Sequence, residues 1–167
     1  MKTSTLYEIL GALLLYGIVF AAIWILRYSL DPVLLGTGLV PGDEGNPNIP
    51  LSNLVDAFQL YASIVLGISF VCFFIWYLLG GVVIRPTAPA ATWMLIWLLF
   101  FVVIAASAGV VSWLSQQDMD AASSDYRQEY VAGFYFVSGL VLYYLASIFF
   151  SPLHARYRIW PAKHLRR

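Results

Sequence analysis

Four long apolar runs dominate the chain, at about residues 6–27, 55–84, 90–114 and 130–150. Each is near or above the roughly 20 residues that a helix needs to cross the hydrocarbon of a bilayer. No charged residue lies between Ile9 and Leu26, or between Ala57 and Ile84. The runs do not alternate: Leu98-Leu99-Phe100-Phe101-Val102-Val103-Ile104 is apolar at every position. A strand of a membrane barrel would alternate over about ten residues. In hydrocarbon every backbone N–H and C=O must be bonded within the protein, so runs of this kind are read as helices. The expected fold is all-α: a polytopic membrane protein with four transmembrane helices, in two antiparallel hairpins, forming one domain over residues 1–167. The second run is longer than one crossing requires, and is expected to tilt or to leave the lipid before Arg85. The first run reads as a retained anchor rather than a signal peptide. Its apolar region is too long, no A-x-A-like site closes it, and Arg27 follows it.

The polar stretches between the runs set an expected orientation. Outer loops are expected at 31–53 and 115–129, with a turn at 85–89 and a tail at 151–167 on the other side. Lys2, Arg85, Arg156, Arg158, Lys163, Arg166 and Arg167 fall on the side of the turn and tail, and only Arg27 and Arg127 on the side of the loops. Basic residues collect on the cytoplasmic side of a membrane. Both termini are therefore expected to be cytoplasmic, in a bacterial inner membrane. The basic tail follows from this topology alone, or in addition grips anionic lipid or a cytosolic partner.

Composition narrows the class. The 167 residues are 61% hydrophobic and 11% charged, against about 45–50% and about 25% in soluble domains. Nine basic and nine acidic residues give no net charge. This excludes a soluble enzyme, a disordered tail and a nucleic-acid-binding module. A single cysteine, Cys72, excludes a disulfide framework and a dithiol site, and reads as a small apolar filler within a span.

The loops carry two kinds of signal. The first, with prolines 32, 41, 47 and 50 and glycines 36, 38, 42 and 45, has no room for a long regular element. Its apolar residues Leu34, Leu35, Leu39 and Val40 rest on the bilayer surface or dock a partner subunit. The 85–89 turn, Arg85-Pro86-Thr87-Ala88-Pro89, is a stiff corner that makes its flanking helices neighbours. Ser52 is a candidate N-cap for the second helix, with Asp56 in the first turn, and Ser124 a weaker one for the fourth.

Helix contacts are expected where small residues recur. Gly17-x-x-x-Ala21, Ser63-x-x-x-Gly67 and Ala105-x-x-x-Gly109 are candidates for helix–helix or partner contacts. Gly133 and Gly139 stand in the fourth span. Trp93, Trp113 and Trp160 lie near the expected interfaces, and Trp24 and Trp76 near span ends. Trp97 lies deeper, against a neighbouring helix or lipid.

Chemistry is sparse. Glu8 and Asp56 lie near span ends rather than at mid-membrane, and mark at most a polar path with Gln59, Tyr61, Ser63, Ser69, Ser107 and Ser112. His154 and His164 lack the spacing of a metal pair, and no nucleophile elbow or phosphate-binding loop occurs. No catalytic, cofactor or metal site is therefore assigned. Bulky Phe, Leu, Trp and Tyr exceed what four spans bury among themselves, so the expected partners are lipid and other membrane subunits. The expected role is a non-catalytic integral membrane subunit of a larger inner-membrane complex, such as a secretion, conjugation or respiratory apparatus. The alternative is a small transporter or ion channel formed by homo-oligomerisation, with Asp56 and Glu8 near its path. Four-span topology is shared by too many unrelated proteins to choose between them.

Overall fold

A computed structural model describes residues 3–25, 51–85, 87–119, 125–152 and 155. Among the described residues there are four long helices and no strand. Helix α1 is Thr3–Ile25, α2 is Leu51–Leu78, α3 is Ala90–Met119 and α4 is Asp125–Phe149. A wide turn, Leu79–Val83, extends α2. Stretches of all four are long and apolar enough to cross a membrane: Thr5–Ile25, Asp56–Val83, Ala90–Gln117 and Val131–Phe149. This is the architecture of a multi-pass integral membrane protein.

The helices outrun the apolar patches, and the expected second loop is the clearest correction. Of residues 115–129, Ser115 to Met119 continue α3 and α4 already starts at Asp125. Ser115, Gln116 and Gln117 are polar because the helix is leaving the hydrocarbon, not because it has ended. Apolarity reports where lipid is; helix ends depend on caps and packing. Ser115 is in fact buried. Likewise α2 begins at Leu51, so Ser52 lies inside the first turn rather than ahead of it. Leu34, Leu35, Leu39, Val40, Ser124, His154, Trp160 and the basic tail fall outside the described residues.

Helices α2, α3 and α4 pack on one another along their lengths, while α1 lies against α2 and α4 through a smaller contact. The shared core runs from Ala62 and Val65 through Phe73 and Trp76 of α2, with Trp97 and Ile104 of α3 and Tyr143 and Ala146 of α4. With Ser69, these α2 residues recur every three or four positions, the helical stripe that faces two neighbours at once. Lipid chains are as apolar as leucine, so burial does not by itself drive these helices together. Close packing and hydrogen bonds do.

Three glycines create the closest approaches. A Cβ at Gly139 would stand 2.8 Å from Val65 Cγ1 and 3.2 Å from Ile104 Cγ2, so α4 touches α2 and α3 through a bare backbone. Gly11 of α1 lies against the Phe150 ring, just beyond α4. Gly80, in the wide turn, is 3.2 Å from Ala155 Cβ and 3.4 Å from Trp93 Cζ3, measured from the same ideal position. That turn is closed by Ile84 N–H donating to Leu79 C=O at 2.8 Å, one residue wider than an α-helical bond. It brings Trp93 edge-on to Trp76, with ring centroids 5.9 Å apart.

Gly133 offers a control, because nothing lies within 4 Å of its missing Cβ. Gly139→Leu should lower stability by about 1–3 kcal/mol through overpacking. Gly133→Ala should be neutral or stabilising by up to about 1 kcal/mol, since it reduces backbone freedom in the unfolded helix. Unfolding in mixed detergent micelles measures both; equal effects would show that α4 does not cross at Gly139.

Candidate functional site

Water cannot satisfy a polar side chain in mid-membrane, so each must find a partner in the bundle. The recurring solution here is a serine between an aromatic donor and a backbone carbonyl. Ser69 Oγ of α2 donates to Gly139 C=O of α4 at 2.8 Å. Its single proton is then committed, so Tyr16 OH of α1, 2.9 Å away, donates to Ser69. Ser63 Oγ donates to Gln59 C=O at 2.7 Å and accepts from Trp24 Nε1 at 3.2 Å. Ser147 Oγ donates to Tyr144 C=O and accepts from Trp97 Nε1, each at 2.9 Å. Ser151 Oγ, just past α4, accepts from Trp76 Nε1 at 2.8 Å. Each aromatic donor and its serine come from different segments of the fold, so every bond is also a cross-link between them.

Two further groups complete the α1–α2 seam. At one end Tyr77 OH donates to Glu8 Oε2 at 3.1 Å. At the other, Gln59 Nε2 donates to Ile23 C=O at 3.2 Å. Gln59 is fully buried, and its Oε1 has no hydrogen-bond partner. Flipping the amide would set that oxygen against the Ile23 carbonyl, so the nitrogen is correctly placed.

The seam gathers most of the expected polar path but spreads it thinly. Asp56, exposed, stands at the Gln59 end and Glu8 at the Tyr77 end. At 1.5 Å per residue, Asp56 and Tyr77 are roughly 30 Å apart along α2. Ser63 and Ser69 are about 9 Å apart on the same scale, and Ser69 and Tyr77 about 12 Å. Tyr16 and Phe73 fill the intervals. Ser107, of α3, donates instead to Val103 C=O of its own helix. Ser112 is buried and Tyr61 half-buried. Among the described residues no group of three or more His, Cys, Asp or Glu gathers where it could hold a metal.

The small-residue candidates divide. Ser63 sits in the seam, and Gly109 makes ordinary contact with Phe136. Ala105 is half-buried beside fully buried Ala108. Gly17, Ala21 and Gly67 are exposed, and no atom lies within 4 Å of the Cβ position of either glycine. Among the described residues neither glycine brings helices together. Gly67 instead floors an open apolar groove of about 510 Å³ between α2 and α3, lined also by Ile64, Val71, Cys72, Phe100 and Val103. Of the tryptophans, Trp76 and Trp93 are buried in the packing, while Trp24 and Trp113 are exposed. Trp97 is buried and stacks on Tyr143 at 6.0 Å, the neighbouring-helix alternative of the two expected.

The serine–aromatic pairs, rather than the two carboxylates, are what sequence reading missed. Serine and tryptophan are individually unremarkable in a span, and nothing in their spacing says which serine meets which ring. No protein-family model, curated protein or solved structure matches the chain.

Tyr16→Phe and Ser69→Ala should show a coupling of about 0.6–1.7 kcal/mol in a double-mutant cycle, the range for hydrogen bonds between membrane helices. Ser69→Ala should cost more than Tyr16→Phe, because it leaves the buried phenol without its acceptor and also removes the second hydrogen bond to the Gly139 carbonyl. Additive effects would show that the pair is not bonded.

Proposed function

We propose that this chain is a non-catalytic integral membrane subunit, a structural or assembly component of a larger inner-membrane complex such as a secretion, conjugation or respiratory apparatus. One observation carries the reading: Gly17, Ala21 and Gly67 are exposed small residues, and among the described residues no other helix packs on either glycine. Small residues matter in membranes because they let helix backbones meet. Here they lie on outward surfaces, beside Leu14 and Ile18 on α1 and beside Ile64 and Val71 on α2. Tyr16, Gln59, Ser69 and Ser147, by contrast, are turned inward and join this chain's own helices. That division suits a protein whose work is to hold neighbours.

Topology belongs to the same proposal: both termini cytoplasmic, with two antiparallel hairpins. The supporting observations are the Lys and Arg asymmetry and the order of contacts. Along α1 and α2 the partners run in opposite directions, Glu8 with Tyr77, Tyr16 with Ser69, Ile23 with Gln59. Trp76 with Trp93 begins the corresponding order for α2 and α3, and Val65 and Ile104 meeting at Gly139 continues it. The transporter alternative draws on Asp56 and Glu8 sharing one seam. It is the weaker reading, because the polar groups between them are too widely spaced to hand on an ion.

Photo-crosslinking residues at Gly17 and Gly67 should trap membrane proteins of discrete mass in intact cells, whereas one at Leu99, exposed on α3, should trap lipid. Lipid adducts alone at all three would overturn the subunit reading. Impermeant thiol reagents should label a cysteine placed at Leu39 from outside the cell and spare one placed at Lys2; the reverse pattern would invert the topology.

A further inference from the structure

We propose that the corner between α2 and α3, with the root of the C-terminal segment packed on it, forms one cationic surface that binds the headgroups of anionic phospholipids. The inference rests on the four helices spanning a membrane, and not on the subunit reading or on which side the termini lie.

The seat of that root is the first observation. The chain does not leave the bundle when α4 ends at Phe149. Ser151 and Pro152 are buried, and Ala155 is 0% exposed. Trp76 Nε1 donates to Ser151 Oγ at 2.8 Å. Ala155 N–H donates to Pro152 C=O at 2.9 Å, which turns the chain back. The surface it meets is the wide turn that extends α2. The Cβ position of Gly80 is 3.2 Å from Ala155 Cβ, and that of Gly81 is 3.8 Å from Pro152 Cγ. A long side chain at Gly80 would take the place of Ala155, so the glycine makes room for the root.

Depth and charge are the second observation, and they name the occupant. The seat stands where the apolar stretches stop, at Val83 for α2 and Phe149 for α4, and where that of α3 starts, at Ala90. In a bilayer this is the level of the headgroups. Arg85 is exposed there, directly after exposed Val82 and Val83. Glu8, an acid at the same end, accepts a hydrogen bond from Tyr77. Past Ala155 the sequence runs Arg156-Tyr157-Arg158-Ile159-Trp160 and adds Lys163, Arg166 and Arg167, with no acid. At no more than about 3.6 Å per residue, the Cα atoms of Arg156 and Arg158 lie within about 4 Å and about 11 Å of the seated Ala155. That is on the order of one Debye length at physiological salt, so these cations and the headgroups beside the seat act on one another. A cluster of Lys and Arg held next to a span is drawn to anionic lipid. The seat keeps the first of them at the phosphates, on the same corner as Arg85.

Native mass spectrometry of the full chain in mild nonionic detergent tests this, with equal amounts of phosphatidylglycerol and phosphatidylcholine of identical acyl chains. Phosphatidylglycerol should be retained more than about fivefold over phosphatidylcholine, since each basic residue near an anionic surface contributes about that factor. Arg85→Gln should cut the preference about fivefold, and Arg156→Gln combined with Arg158→Gln should cut it further. Gly80→Leu, which unseats the root, should also lower it, whereas Leu99→Ala, at an exposed position of α3, should leave it unchanged. Should Gly80→Leu fail to fold, the arginine variants decide alone. Equal retention of the two lipids would overturn the proposal, as would a preference that Arg85→Gln, or a folded Gly80→Leu, leaves intact. So would a photo-crosslinking residue at Tyr157 that traps only a cytosolic protein in cells.

Discussion

Hydrocarbon offers no hydrogen bonds, and most of this structure follows from that. A polar group in mid-membrane left unmatched costs several kcal/mol. The backbone meets the demand by coiling into α1–α4. The side chains meet it with serines that give their proton to a carbonyl and their lone pairs to an indole or a phenol. Because the carbonyl, the serine and the ring seldom belong to one helix, satisfying a local need also fixes how helices sit against one another. Glycine supplies the rest: at Gly139 the absence of a side chain lets α4 come close enough for Ser69 to reach its backbone.

The same demand sorts the surfaces. Polar residues that pair across helices are drawn inward, which leaves the outward faces of the described helices largely apolar. Leu95 of α3 is 69% exposed and Trp113 is 59% exposed. On such a surface the informative residues are small ones. Gly17 and Ala21 form a shallow place on α1, and Gly67 the floor of the groove beside α3. The proposed role as a subunit rests on these shallow places. The opposite face of α1 carries Tyr16 and Ile23, which join it to α2. One face meets the chain's own fold and the other is left exposed, which suits a protein that works through contact.

Much of this was legible in the order of residues. An uncharged run of twenty or more apolar residues has one stable form in lipid, and that physics needs no tertiary information. It placed all four helices and the all-helical class. It could not place helix ends, since Ser115–Gln117 continue α3 into polar surroundings where apolarity no longer reports on the backbone. Nor could it say that Gly139 is a crossing point while Gly133 touches nothing, although both are glycines of one helix. Rotation about a helix axis decides that, and it is set by neighbours distant in sequence. The pairing of Tyr16 with Ser69, Trp97 with Ser147 and Trp76 with Ser151 was hidden for the same reason. Each pair spans fifty residues or more, and only the packed bundle brings its members within bonding distance.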